Sequence, residues 1–283
     1  MGEAQVEGKI STVPFSATVQ LAPLSPMIWL HLEFDFGEKT EVGAQSGLPN
    51  LPEFARDEEK LRLVVPLPFA QPRFYAHSAF HIRPVNRTRY PVLRYALAEG
   101  GGRGVAIFSD RATAGVFRQS PSSLELVLAY GGPFIYAPGL YAPLKGRQGF
   151  DLGLAFYGGD FALAQVPLLA DEFSMPLLAW PLTRSGSARD QAGSAFSVGS
   201  YSLVDLQPSE AAVLTAAYPE GSDLVLRLWR PYPGEVQAKV TVTGARSLYS
   251  ADLRGKALSP LARGATAQVT LRQNQVLTLR AAR

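Results

Sequence analysis

Apolar and polar positions alternate along the end of the chain. In residues 223–229, three leucines lie on one face of an extended chain, and Val225, Arg227 and Trp229 lie on the other. A turn containing Pro and Gly follows, a second alternating run continues to residue 244, and a third covers residues 269–280. Alternation bounded by Pro and Gly is typical of antiparallel β-strands. The end of the chain is therefore predicted to be a set of such strands.

The same alternation occurs in earlier segments. Residues 28–36 place five apolar side chains on one face and polar ones, with Trp29, on the other, which predicts a half-buried strand. Further strands are predicted at residues 17–21, 61–67, 74–83, 105–108, 124–128 and 150–157. Pro66 ends its strand or confines it to a sheet edge. Only residues 162–173 have near-helical apolar spacing, and Pro167 interrupts it, so we expect a short helix or a wrapping segment there.

These patterns predict an all-β protein with two domains. The chain has 26 Gly and 22 Pro among 283 residues, which argues against long helices and fits many turns. This length suits one large all-β domain or two domains. The clearest linker, rich in Ser, Gly and Ala, covers residues 183–200. We therefore expect a larger β-domain at residues 1–182 and a smaller β-sandwich at residues 201–283.

Charge and composition exclude several classes of partner. Apolar residues make up 47% and charged residues 18% of the chain, as in globular proteins. The net charge is only +3 and the arginines form no run, so we expect no nucleic-acid partner. No segment has the apolar length of a membrane span, and residues 1–9 lack the apolar core of a secretory signal. Because the chain also has no cysteine, the cytoplasm is the expected location.

The sequence offers no convincing catalytic or metal-binding set. His77 and His81 are predicted to lie in one strand about 13 Å apart, too far to share a metal ion, so structural histidines are expected. No Gly-x-Ser-x-Gly elbow supports a catalytic triad. Residues 100–104 lack the Gly-Lys-Ser/Thr ending of a phosphate loop and predict a hairpin turn. Carboxylates cluster at residues 57–59, in a predicted solvated turn, and at residues 171–172, where a cap or an arginine pair is favoured.

Sugar binding is the chemistry that the remaining residues favour. Aromatic faces stack on pyranose rings, and a long Gly/Pro-rich loop at residues 131–149 concentrates aromatic side chains. These are Tyr130, Phe134, Tyr136 and Tyr141. The same side chains could instead pack the loop onto the core. Asp151 follows the loop and is predicted to begin an apolar strand, where it either contacts a ligand or bonds its own turn. The candidate carbohydrate-binding residues are therefore Tyr130, Tyr136, Tyr141 and Asp151.

Several short motifs follow one another in a fixed order along the chain. They are a strand at residues 61–67 with an Arg-Pro ending at 79–84, GRGVAIFSD at 102–110, a leucine-rich strand at 124–130, Asp-x-Gly at 151–153, ADEFSMPL at 170–177 and the tail strands from residue 223. In this order they resemble the motifs of family 38 glycoside hydrolases, the α-mannosidases. Each motif is short, and the resemblance, which extends over most of residues 28–283, rests on their shared order.

The resemblance implies both a fold and missing parts. The implied fold is a large, galactose-mutarotase-like β-supersandwich followed by a small β-sandwich, in agreement with the two predicted domains. In that family the zinc ion and the nucleophilic Asp belong mainly to an N-terminal α/β domain and a helical bundle, and no segment here resembles either. We therefore expect no cofactor in this chain, zinc only in a catalytic domain that it lacks, and that domain or chain as its partner.

The chain departs from the family pattern at three places. It has Val127-Leu-Ala-Tyr130 where the family usually has Leu-Leu-Arg-Ser, Leu154 where a His often follows Asp-x-Gly, and Trp229-Arg230 where Tyr-Glu is usual. Substrate contacts are therefore not carried over at these positions, and the parent enzyme is expected to be a divergent relative.

The leading hypothesis is a C-terminal, non-catalytic β-region of an α-mannosidase-like glycoside hydrolase. Such a region would pack on the catalytic domain, help to wall the sugar site and be inactive alone. One alternative is a stand-alone carbohydrate-binding β-protein. Another is a complete lyase- or epimerase-like enzyme, which would need a pocket containing Asp151 and an Arg or His.

Overall fold

The computed structural model describes residues 2–23, 25–38, 60–133, 141–142, 144–175 and 202–283. The chain divides into two compact units, Met1–Ser174 and Met175–Arg283. The predicted domain boundary at residue 182 and the predicted linker at 183–200 lie outside the described residues and stay predictions. Within the described residues, strands dominate, all strand pairs are antiparallel and a single α-helix is present. The all-β prediction is confirmed.

The larger unit is built from short strands joined by tight turns. Its described strands are β1 Gly2–Ile10, β2 Val13–Leu21, β3 Met27–Asp35, β4 Leu61–Pro66, β5 Arg73–Ser78, β6 His81–Val85, β7 Arg89–Val92, β8 Tyr95–Gly100, β9 Arg103–Ser109, β10 Thr113–Gln119, β11 Ser122–Ala129, β12 Gly132–Pro133, β13 Tyr141–Ala142 and β14 Arg147–Gly158. Gly101 and Gly102 make the β8–β9 turn with positive φ angles of 59° and 73°, as the hairpin prediction requires.

In the described residues, two large sheets of unequal width and the two-stranded β12–β13 ladder form the larger unit. The wide sheet has the order β1-β2-β3-β14-β9-β8-β5-β6, and the narrow sheet has the order β4-β11-β10-β7. Alternating apolar side chains from both sheets meet in the core, which includes Phe74, Ile107, Phe117, Leu124, Leu126 and Leu152. We call the face of the wide sheet that turns toward the narrow sheet the inner face, and the opposite one the outer face. Polar residues are thereby left on the outer face.

The outer face is partly covered by the helix α1, Val166–Ser174. Pro167 occupies its first turn, where a missing backbone N–H costs no hydrogen bond. The predicted interruption at this proline is therefore the start of the helix. On the outer face, the ring of Phe173 stacks on Trp29 at 5.3 Å between centroids and lies 6.1 Å from Phe108. These aromatic contacts form a second, smaller core.

The smaller unit is a β-sandwich. Its strands are β15 Val204–Gln207, β16 Val213–Glu220, β17 Asp223–Trp229, β18 Glu235–Val242, β19 Ser247–Ala251, β20 Ala257–Arg263, β21 Thr266–Arg272 and β22 Val276–Ala282. They form a three-stranded sheet, β15-β18-β21, and a five-stranded sheet, β16-β17-β22-β19-β20. Buried residues from both sheets share one core, which includes Leu226, Leu228, Val240, Leu248, Leu271 and Leu279.

Three strand predictions need correction. Residues 74–83 form the hairpin β5–β6 and not one strand, because the chain reverses at Ala79 and Phe80, whose φ is 53°. The run at 269–280 is divided between β21 and β22, with Asn274 at a φ of 60° in the turn. The strands β17 and β18 lie in different sheets, so the Pro/Gly segment between them crosses the sandwich. Alternation indicated the strands but not where the chain turns between sheets.

Candidate functional site

Asp151 lies in the middle of β14, between β3 and β9, on the outer face of the wide sheet. The prediction that it begins a strand is wrong, because β14 starts four residues earlier, at Arg147. Its register partner on β3 is His31, and the imidazole Nδ1 lies 2.7 Å from the Asp151 carboxylate Oδ1. Both side chains are open to solvent, with exposed fractions of 50% for His31 and 62% for Asp151.

Two glycines flank Asp151 on the same face and give it its surroundings. A Cβ at Gly149 would lie 3.3 Å from Cε1 of His31, so this glycine leaves space for the imidazole. A Cβ at Gly153 would lie 2.9 Å from the sulfur of Met27 and 3.1 Å from the ring of Phe173. The glycine of the Asp-x-Gly motif therefore allows α1 to pack on the sheet, while its aspartate remains beyond the helix.

The outer face next to His31 is strongly charged. Arg147 lies 3.5 Å from the carboxylate of Glu33 and 3.6 Å from that of Asp35. These residues belong to a shallow groove of about 600 Å³, which is lined by Glu7, Gly8, Lys9, Pro14, Phe15, Ser16, Glu33, Asp35 and Arg147. The groove has the volume of a small-molecule site. Its carboxylates, guanidinium and hydroxyl supply the donors and acceptors that sugar hydroxyls require.

The arrangement can bind polar ligands more readily than it can catalyse. A carboxylate on Nδ1 fixes the orientation of His31, so that Nε2 can bond a ligand hydroxyl. Glycosidic cleavage needs two carboxyl groups, one of them kept protonated in an apolar pocket. Glu33 is a diagonal neighbour of Asp151 across the β3–β14 pair, but both side chains are largely exposed. The groove and the His31–Asp151 pair are neighbours on one face, and neither residue of that pair lines the groove.

Of the predicted tyrosines, the described structure separates Tyr130 from Asp151. Tyr130 follows β11 of the narrow sheet, is half-buried, and has the ammonium of Lys60 at 5.5 Å from its ring centroid. The backbone of Tyr141 pairs with Pro133 in the β12–β13 ladder, whereas Tyr136 lies outside the described residues. Tyr130 and Asp151 thus belong to different sheets, and the sugar-binding role of the four residues stays a prediction.

Other ionisable groups are buried and paired within the fold. The carboxylate of Glu125 accepts hydrogen bonds from Arg62, Arg118 and Ser123. Arg94 donates to Asp171 at 2.6 Å, as the arginine-pair interpretation of residues 171–172 predicted. The acidic cluster at residues 57–59 lies outside the described residues. The buried carboxylates of Glu125 and Asp171 are thus paired within the fold.

The prediction that His77 and His81 lie about 13 Å apart in one strand is wrong, because they belong to the two strands of the β5–β6 hairpin. His81 pairs with Ser78, so its side chain and that of His77 lie on opposite faces of the wide sheet. The three histidines thus occupy separate environments. His77 on β5 stacks on Tyr95 at 4.7 Å, and burial, aided by Arg94, lowers its pKa to about 4. Burial and Arg83 also lower the pKa of His81. Among the described residues, no group of three or more His, Cys, Asp or Glu side chains could hold a metal ion. In the same residues, no helix has the length and apolarity needed to cross a membrane.

Some of the groove residues could be placed on their face of the sheet from the sequence alone. Alternation in residues 28–36 placed Glu33 and Asp35 on the polar face with His31, although it gave no reason to choose them. Arg147 and Asp151 reach that face only through the β3–β14 pairing, which joins residues more than a hundred positions apart. No local pattern predicts such a pairing.

Comparison with known proteins concerns the fold. No protein-family model matches the chain, and no curated protein matches it. Among solved structures, an α-mannosidase from Enterococcus faecalis V583 is similar over 95% of this chain and 29% of its own length, with a TM-score of 0.64 and 13% identity. A protein in glycosyl hydrolase family 38 from Enterococcus faecalis is similar over 95% and 30%, with a TM-score of 0.64 and 16% identity.

This chain has the fold of one part of those proteins. The structural resemblance that the ordered motifs predicted is thereby confirmed. The chain spans about three tenths of the length of each of the two structures. At 13–16% identity the likeness concerns the fold alone.

Proposed function

We propose that this chain is the non-catalytic β-region of an α-mannosidase-like glycoside hydrolase. In this role it packs on a catalytic domain, supplied by the same polypeptide or by a separate chain, and helps to wall the sugar site. The main support for this proposal is that 95% of this chain superimposes on less than a third of an α-mannosidase. The exposure of Asp151 and His31 supports the same role, since among the described residues no protonated carboxyl group is held beside them and nothing excludes water from them.

The first experiment measures hydrolysis of an aryl α-mannoside by the purified 283-residue chain, with and without added zinc. We expect no turnover in either condition. The enterococcal α-mannosidase, assayed in parallel, provides the positive control. Turnover by this chain that depends on zinc and co-purifies with the folded protein would mean that these residues contain a complete active site.

A second candidate function is carbohydrate binding by the chain alone, and the outer-face groove favours it. Vicinal sugar hydroxyls can each accept from Arg147 and donate to Glu33 or Asp35, while the groove volume of about 600 Å³ accommodates one or two sugar rings. Glycan-array screening of the wild type tests this function. Arg147→Met should abolish binding if the groove carries it, and Tyr136→Ala or Tyr141→Ala should do so if the loop carries it. Absence of any binding would remove this candidate and leave the first.

A further inference from the structure

The strand β1 is a sheet edge that no described residue covers. Among the described strands it pairs only with β2, in an unbroken register from Gly2 to Ile10. The other three edges of the two large sheets each contain a proline: Pro66 in β4, Pro84 in β6 and Pro91 in β7. A proline or a bulge prevents an edge from pairing with another chain. β1 has neither, and at nine residues it is the longest of these four edges.

The inner face beside this edge is apolar and exposed. Val6 and Ile10 on β1 and Leu21 on β2 have exposed fractions of 53%, 50% and 52%. Their register places all three on the inner face, where the five β1 residues are Gly2, Ala4, Val6, Gly8 and Ile10. No charged side chain of β1 points to this face to prevent pairing. In the part of the chain that the structure describes, the narrow sheet leaves these side chains uncovered.

We propose that β1 pairs with β1 of a second copy of this chain, antiparallel and two-fold symmetric about Val6. The two wide sheets then form one continuous sheet. In this register, residues whose numbers sum to 12 lie opposite each other. Glu3 therefore faces Lys9 of the second copy, and Gln5 faces its Glu7, with both pairs repeated by the symmetry. Glu3 and Lys9 carry opposite charges, and the Gln5 amide can donate a hydrogen bond to the Glu7 carboxylate. Within one copy, the side chains of Glu7 and Lys9 have no hydrogen bond or ion pair with a described residue, whereas the Glu3 carboxylate accepts hydrogen bonds from Gln5 and Gln20.

Charge selects this register among the symmetric alternatives. Opposed residues in an antiparallel pair point to the same side of the sheet. The inner faces of the two copies therefore lie on the same side only when the numbers of opposed residues have an even sum. A sum of 10 places Glu3 opposite Glu7, and a sum of 14 places Glu7 opposite itself. A sum of 16 pairs Glu7 with Lys9 but joins only residues 6–10. The register about Val6 uses the whole strand and opposes no like charges.

The apolar side chains also fit in this register. Ile10 faces Gly2 of the second copy, and because that glycine has no side chain, Ile10 can reach Leu21 on the neighbouring β2. Ala4 faces Gly8, whose backbone is already covered by the ring of Phe15, 2.9 Å from the position of a Cβ. Large residues thus oppose small ones, while Val6 meets Val6. Together the pairs bury the exposed apolar strip that β1 leaves in a single copy.

The oligomeric state of the full chain tests the proposal. Light scattering after gel filtration should give twice 30.5 kDa, about 61 kDa, for the wild type. Val6→Lys should give a monomer, because the two new lysines, one from each copy, would lie opposite each other at the symmetry axis. Lys9→Glu should weaken dimerisation about tenfold, and adding Glu3→Lys should restore it by reversing both ion pairs. Leu258→Lys, on the exposed edge strand β20, is the matched control and should remain dimeric. A wild type that is monomeric up to its solubility limit, or a dimer that Val6→Lys leaves intact, overturns the proposal.

Disulfide formation tests the register itself, because the chain has no native cysteine. Opposed residues of an antiparallel pair have Cα atoms about 4.5–5.5 Å apart, within disulfide range. A Val6→Cys variant should therefore cross-link to a second copy on mild oxidation. A Lys9→Cys variant should not, since the two cysteines would lie roughly 20 Å apart along the strands. Cross-linking of the Lys9→Cys variant without that of the Val6→Cys variant contradicts the register.

Discussion

Arg94 binds Asp171 across 77 positions of sequence: its Nη2 donates to the carboxylate Oδ1 at 2.6 Å and to the carbonyl of Ala170 at 2.7 Å. Arg94 lies between β7 and β8, and Asp171 lies in α1. The ion pair therefore holds the helix on the outer face of the wide sheet. Burial raises the pKa of Asp171, while Arg94 acts in the opposite direction. The described part of the motif, residues 170–175, thus has a structural role, since its Phe173 packs in the aromatic core beside the ion pair.

Arg94→Met should destabilise the larger unit by about 1–3 kcal/mol, because it leaves the partly buried Asp171 without its donor. Urea unfolding followed by the NMR signal of the Trp29 indole N–H measures the change, since this indole stacks on Phe173. The double variant Arg94→Met with Asp171→Leu should lose less stability than the single one, because no uncompensated carboxylate remains. An unchanged unfolding midpoint for Arg94→Met would show that the pair contributes nothing.

Gly153→Ala should destabilise the packing of α1 by about 1–3 kcal/mol. Its new methyl would lie 2.9 Å from the Met27 sulfur and 3.1 Å from Phe108 and Phe173, so the helix must move outward. Gly158→Ala on the same strand is the matched control, since no atom lies within 4 Å of its Cβ position. Equal unfolding midpoints for the two variants would contradict this explanation of the Asp-x-Gly glycine.

The fold was predictable from local patterns, and the site was only partly so. Alternation in residues 28–36 gave both faces of β3 correctly, because side-chain direction depends on the strand alone. The strand β1 was not predicted, although Ala4, Val6 and Ile10 alternate with charged and polar residues there. The partners of His31 were also not predictable, since the pairing of β3 with β14 depends on how the whole sheet is ordered. Short motifs in a shared order still indicated the family-38 fold that comparison confirmed.

His77 should remain neutral far below the usual range of histidine. Burial and the neighbouring Arg94 lower its pKa from 6.5 to about 4. Because the folded-state pKa is depressed, the stabilisation by neutral His77 is present above pH 6.5 and is lost as the pH falls toward 4, by up to roughly 3 kcal/mol. NMR titration of the three imidazole Cε1–H signals measures this directly, with His31→Gln and His81→Gln variants for assignment. A buried imidazole that titrates near pH 6.5 would contradict the structure.

Glu99 should make the larger unit less stable as the pH rises. Its carboxylate accepts the backbone N–H of Phe161 at 2.7 Å and lies 3.3 Å from Arg73, yet burial outweighs both and raises its pKa above 4.5. For a carboxyl with a raised folded-state pKa, the stabilisation is fully present below pH 4.5 and is lost as the pH rises through the folded value.

Glu99→Gln keeps an acceptor for the N–H of Phe161 and removes the titration. The variant should therefore gain stability relative to the wild type between pH 4 and pH 7, as measured by urea unfolding at intervals across that range. Glu172→Gln, at an exposed position of α1, is the control. Its stability should change with pH in the same way as that of the wild type. If Glu99→Gln instead loses stability relative to the wild type as the pH rises, then Arg73 and the Phe161 amide stabilise the charged form more than burial destabilises it.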